Sequence, residues 1–121
     1  MNALLLIAHG SRNPAANQEI DQLAQNVASF CSDHFDLVQH AYLEFAKPDI
    51  ADGVSRCVAR GSTHVTVVPY FLTAGNHVVR DIPEEIQLAR AAHVDVDIEL
   101  SPHVGAMEIM ASLVAKCAKA A

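Results

Sequence analysis

With 121 residues, 51% of them hydrophobic and 18% charged, the chain is long enough for one core but not two, and it has ample apolar residues to fill it. The formal net charge of −6 argues against a general nucleic-acid or membrane-surface binder, which needs a basic face, but leaves room for an anionic ligand held by a few local cations. No segment reaches the ~18 apolar residues of a membrane span, and three widely spaced cysteines, Cys31, Cys57 and Cys117, do not suggest a disulfide framework.

Ala3 to Ala8 is a continuous aliphatic run, the pattern of a strand buried on both faces. Pro14 stands where a helix begins, followed at helical spacing by Ala15, Ile20, Leu23, Ala24, Val27 and Phe30. Asp36 to Leu43 reads as a second strand. Pro48 and Asp49 open a second helix, which carries Ile50, Val54, Cys57 and Val58 on one face and ends at Gly61. His64 to Phe71 is β-branched and apolar, a third strand. A helix from His77 or Pro83 to Ala92 turns Ile82, Ile86, Leu88 and Ala89 inward. Val94 to Leu100 alternates apolar and acidic residues and reads as a half-exposed edge strand. A last helix is expected over residues 105–118.

Repeated strand–helix units of this length predict one domain over residues 1–121. Its fold is an α/β three-layer arrangement, a four-stranded, mainly parallel sheet with helices on both faces and right-handed crossovers. Ligands of such sheets bind beyond the carboxyl ends of the strands. Two histidines stand at such exits, His9 after the first strand and His77 after the third. Two imidazoles at one sheet edge suit a divalent transition metal, and two ligands rather than four leave it free to move on. His34, His40, His64 and His93 lie near helix ends, in strands or in turns and read as structural or exposed.

Three stretches at these exits resemble the small class II tetrapyrrole chelatases, most closely the short form of the sirohydrochlorin cobaltochelatase family. They are Leu5–Arg12 (LLIAHGSR), Tyr42–Ile50 (YLEFAKPDI) and Val68–Pro83 (VPYFLTAGNHVVRDIP). The resemblance implies the chelatase-like doubly wound fold. It also implies a cytoplasmic lyase that inserts Co²⁺ into sirohydrochlorin for cobalamin synthesis, with Fe²⁺ for siroheme or Ni²⁺ as alternatives. No permanently bound cofactor is implied, because the metal is a substrate. His9 and His77 correspond to the metal-handling histidines, and Glu44 to an acidic partner in the cleft. Longer members look like two fused copies, which implies a homodimer for this chain. The exit Ser101–Gly105 departs from the family's loop, so no role for His103 follows.

Metal insertion requires presenting the ion, removing two pyrrole protons and anchoring a carboxylate-rich rim. Glu44 suits proton removal. Arg12, Lys47 and Arg80, each three residues after His9, Glu44 and His77, suit the rim. Ser11 and the start of the first helix add an anion-binding end, and Gly75 and Asn76 complete the expected substrate loop. Gly10 and Gly75 are expected to let the backbone approach a flat ligand, with Tyr42, Phe45, Tyr70 and Phe71 as its apolar wall. A non-catalytic divalent-metal-binding module is the rival from another class. A flavodoxin-like or receiver-like signalling domain is disfavoured because the first strand lacks the acidic exit expected of a receiver, and a histidine phosphatase because its Arg-His-Gly order is absent.

Overall fold

A computed structural model describes residues 1–121. Its elements, in chain order, are β1 (Asn2–Ala8), α1 (Pro14–Phe30), β2 (Leu37–Tyr42), α2 (Ile50–Ala59), β3 (His64–Pro69), α3 (Ile82–Ala92), β4 (Asp97–Leu100) and α4 (Ile109–Lys119). A single π-helical turn, His77–Asp81, runs directly into α3, and a short 3-10 turn, Val104–Ala106, precedes α4. The four strands form one fully parallel sheet in the order β2-β1-β3-β4.

The aliphatic run of β1 is central because it is apolar on both faces. Leu4 and Leu6 meet Ala24, Ile20, Leu23 and Val27 of α1 on one side. Ala3, Leu5 and Ile7 meet Ile50, Val54 and Cys57 of α2 and Ile82, Ile86 and Ala89 of α3 on the other. The chain therefore leaves β1 towards one face and leaves its neighbour β3 towards the opposite face. This is a topological switch point, where a crevice opens between two adjacent strand ends.

Local chemistry fixes the helix starts. Asn13 accepts the Ala15 N–H, and Pro14 occupies the first helical position, where a missing N–H costs nothing. Asp49 caps α2 by accepting the Asp52 N–H at 2.9 Å, a bond that holds its carboxyl below the usual range. A depressed carboxyl contributes stability above its ordinary value of 3.8 and loses it as pH falls through the lowered folded value. We therefore expect Asp49→Ala to cost about 0.5–2 kcal/mol at neutral pH. In urea melts repeated in acid, the gap from the wild type should shrink as the wild-type cap protonates.

Several expectations need correction. The edge strand is Asp97–Leu100 rather than Val94–Leu100. Val94 is 81% exposed, and residues 93–96 form a turn closed by Val96 N–H on the His93 carbonyl. β4 can begin only where β3 offers a partner, at His64 opposite Asp97. Strand β3 stops at Pro69, so Tyr70 and Phe71 lie beyond it. Leu88, expected to face inward, is exposed, and Phe30, at the end of the apolar spacing of α1, is exposed too. The last helix starts at Ile109 rather than at residue 105, and α4 buries none of its residues. The sheet thus has helices on both faces, but α4 covers neither.

Candidate functional site

His9 is the first residue past β1, and Glu44 lies two past β2. The two exits stay paired beyond the strands, with Leu43 N–H on the Ala8 carbonyl and Glu44 N–H on the His9 carbonyl, both at 2.9 Å. Gly10 makes this approach possible. Its φ is +93°, and a Cβ there would run into the Glu44 carbonyl. The demand for glycine at this position comes from loop-to-loop packing, not from a ligand. Gly75, expected to serve the same purpose, has open space around it and no positive φ, so nothing here requires a glycine.

The π turn after β3 carries His77 back over the same edge. The imidazoles of His9 and His77 lie edge-on with ring centroids 4.9 Å apart. His9 Nδ1 lies 3.0 Å from the Gly10 carbonyl oxygen, and His77 Nδ1 lies 2.8 Å from Oδ2 of Asp81. A carbonyl and a carboxylate can only accept, so in these bonds each Nδ1 carries the proton. In the neutral rings the lone pair is then on Nε2, the nitrogen available to a metal. Oε2 of Glu44 stands 3.4 Å from His9 Nε2. A carboxylate oxygen beside an unprotonated nitrogen is repulsive unless a proton or a cation lies between them. The site is therefore electron-rich and open. No three His, Cys, Asp or Glu side chains form a closed metal-holding group.

The expected anchoring residues lie in three different settings. The Arg12 guanidinium sits 4.6 Å over the Phe45 ring, a cation–π contact with no carboxylate attached. Lys47 pairs with Asp49 at 3.3 Å, and Arg80 Nε donates to Oδ1 of Asp81 at 3.2 Å, so both are partly neutralised. Ser11 Oγ accepts the Asn13 N–H. The Asn13 side chain accepts the Ala15 N–H and its carbonyl the Ala16 N–H, so part of the expected anion-binding end of α1 is already occupied. Asn76 opens the π turn without a side-chain cap. Tyr42 belongs to the core, its hydroxyl donating to the Asn17 carbonyl at 3.0 Å, and so is not part of a ligand wall. Phe45 and Tyr70 are exposed near the rim, and Phe71 packs on the core with its ring 6.3 Å from that of His77.

Sequence reasoning missed Asp81, Asn17 and the shape of Phe45. Asp81 was detectable, because a helix begun at His77 puts residue 81 on the same face one turn later. Asn17 fixes the β1–α1 loop through both Ser11 N–H and Ser11 C=O, and no spacing rule marks it. Phe45 adopts φ +64° in a tight turn closed by Ala46 N–H on the Glu44 carbonyl, a conformation that non-glycine residues rarely adopt. Burial pushes the Cys57 thiol up to about 11, and the other two cysteines are unpaired, Cys117 on the exposed face of α4.

The fold and the site together define a doubly wound α/β unit with two histidines converging at its switch point. The CbiX family model matches residues 3–121, and the chain belongs to that family. Among curated relatives, the sirohydrochlorin cobaltochelatase of Methanococcus aeolicus is 34% identical over 88 residues, 73% of this chain. That of Methanocaldococcus jannaschii is 36% identical over 93 residues, 77% of this chain. The sirohydrochlorin ferrochelatase of Bacillus subtilis is 35% identical over 105 residues, 85% of this chain. The matched stretch spans 60%, 64% and 39% of those relatives' lengths. In solved structures, a CbiX protein from Marinobacter aquaeolei superposes with TM-score 0.83 at 28% identity, covering 98% of this chain and 95% of that one. The cobalt complex of the sirohydrochlorin chelatase SirB from Bacillus subtilis gives 0.82 at 33% identity, covering 98% of this chain and 50% of that one.

Proposed function

We propose that this protein is a lyase inserting a divalent metal, cobalt foremost, into sirohydrochlorin or a related tetrapyrrole. The observation that carries this reading is the approach of His9 and His77 at the switch point, with both Nε2 atoms kept free of backbone partners. The names of the CbiX relatives supply the substrate class.

In this reading His9 and His77 hold the incoming ion through Nε2 and present it to one face of the macrocycle. Insertion exchanges one dication for two pyrrole N–H protons. Glu44 takes one proton, and a histidine released by the departing metal takes the other. Arg12, the cation without a carboxylate partner, is the first anchor for the substrate's rim carboxylates, with Lys47 and Arg80 exchanging internal partners for substrate ones. Ser11 still has its O–H proton to donate, and Gly75 and Asn76 line the open side of the loop.

A second copy completes the cleft. The groove beside His9, lined by Gly10, Ser11, Ile20 and Tyr70 among others, has a volume of 240 Å³. A separate pocket lined by Glu44, Phe45 and Lys47 has a volume of 340 Å³, at the low end of the roughly 300–1,000 Å³ of sites that bury a drug-sized ligand, and a tetrapyrrole is larger. One chain thus supplies one wall. On α4 and just before it, Met107, Ile109, Leu113 and Val114 are exposed apolar residues. The cobalt-bound Bacillus chelatase is about twice this chain's length. We read residues 1–121 as one domain that pairs as a homodimer, and the unpaired cysteines favour a reducing cytoplasm. No helix is long and apolar enough to cross a membrane.

Iron is the second reading, because the Bacillus relative is named a ferrochelatase. The deciding experiment mixes protein, sirohydrochlorin and Co²⁺, Ni²⁺ or Fe²⁺ and follows the visible spectrum against enzyme-free controls. Light scattering on the same sample gives the mass. Acceleration with Co²⁺ and a mass twice the 13.0 kDa chain are expected. Tight Co²⁺ binding with no acceleration for any metal would instead mark a non-catalytic metal-binding module.

A further inference from the structure

The carboxylate of Asp81 is shared between two groups of the site. Oδ2 accepts a hydrogen bond from His77 Nδ1–H at 2.8 Å, and Oδ1 accepts one from Arg80 Nε–H at 3.2 Å. His77 and Asp81 bound the one π-helical turn of the chain, which Ile82 N–H closes on the His77 carbonyl. The Asp81 side chain is 30% exposed, so this contact is better shielded than a free surface pair. We propose that Asp81 is a positioning residue of the metal site, one that keeps the His77 proton on Nδ1 and holds Arg80 beside the same ring until a substrate carboxylate replaces it.

This rests on the reading of His77 as a metal ligand. Neutral histidine with no partner favours the proton on Nε2, which would put the lone pair on the wrong nitrogen for a metal shared with His9. A carboxylate on Nδ1 reverses that preference, fixes the ring's orientation and makes Nε2 a better donor. The carbonyl of Gly10 does the same for His9 with a neutral acceptor. The two rings are thus held by unequal means, and His77 depends on a side chain that mutation can remove.

The test uses the full chain labelled with ¹⁵N in its histidine rings, as wild type, Asp81→Ala, Asp81→Leu and Asp81→Asn. Long-range ¹⁵N–¹H spectra of the metal-free proteins report which nitrogen of His77 carries the proton. Titration with Co²⁺ alone, without tetrapyrrole, reports affinity. We expect the wild-type proton on Nδ1, and a shift towards Nε2 in Asp81→Ala with cobalt affinity about 10- to 100-fold weaker. Asp81→Asn, whose amide oxygen can still accept, should recover part of both. Asp81→Leu keeps the bulk of the side chain and reads the same quantities if truncation unfolds the chain. An unchanged His77 tautomer in Asp81→Ala or Asp81→Leu, with wild-type cobalt affinity, overturns the assignment. Failure of the wild type itself to bind cobalt would remove the metal reading of His77, a different result on a different sample.

Discussion

Replacing His77 or His9 with alanine should stop metal insertion while leaving the fold intact. Neither ring belongs to the core, and each side chain is about two-fifths exposed, so the variants should melt close to the wild type. In the proposed reading they lose one of two nitrogen ligands. Partners that merely orient a ligand already cost about 10- to 100-fold in metal affinity or activity when removed. Loss of a ligand itself should exceed about 100-fold in insertion rate. The double variant should be little worse than either single one, because two residues acting on one ion work as a unit and their losses do not add. Stopped-flow assays of the single and double variants check this. Near-wild-type rates in both singles would mean that the metal takes another route. Glu44→Gln should behave differently, losing rate through proton removal while keeping much of its cobalt affinity.

Gly10→Ala should be among the most damaging single changes outside the core, and it should act on stability and site together. Residue 10 sits at φ +93°, where a side chain costs about 1–2 kcal/mol. The added methyl also meets the Glu44 carbonyl, a backbone group that cannot rotate away. Relief requires parting the β1 and β2 exits, which breaks the Leu43–Ala8 and Glu44–His9 hydrogen bonds at about 1 kcal/mol each. The sum is about 3–4 kcal/mol. Gly61 is the control. It has φ +98° but open space around its missing Cβ, so Gly61→Ala should show only the conformational part, about 1–2 kcal/mol. Urea unfolding of the two variants side by side separates strain from collision. Equal losses in the two would show that the Glu44 carbonyl is not the obstacle.

The parts of the fold legible in the residues were those fixed by burial on both sides. β1 is apolar at every position from Ala3 to Ala8 and is buried at all of them. The helix starts at Pro14 and Asp49 carry their chemistry in single residues. Elements whose extent depends on a partner were less legible. The alternation from Val94 onward looks like a strand, but strand β4 exists only alongside β3. The apolar spacing of α4 looks like a packed helix, yet none of its residues is buried. The π turn was hidden for a similar reason. Pro83 has no N–H to return to Val79, and the widened turn just before it is a backbone adjustment that hydrophobic spacing does not record.

The candidate site divides along the same line. His9, Glu44 and His77 could be placed at one edge because strand exits in a parallel sheet share it, and the structure sets His9 beside Glu44 and, separately, beside His77. The partners of the cations were not identifiable, because Lys47–Asp49 and Arg80–Asp81 are short-range choices between equally plausible rotamers. Tyr42 was misread for want of its hydroxyl's acceptor, the Asn17 carbonyl on a different element.

A cobalt-soaked crystal, measured at the cobalt absorption edge, tests the central claim most directly. The account predicts one anomalous peak bonded at about 2 Å to Nε2 of His9 and to Nε2 of His77. A peak held by only one of these rings, or by other side chains with the two imidazoles left free, would contradict it.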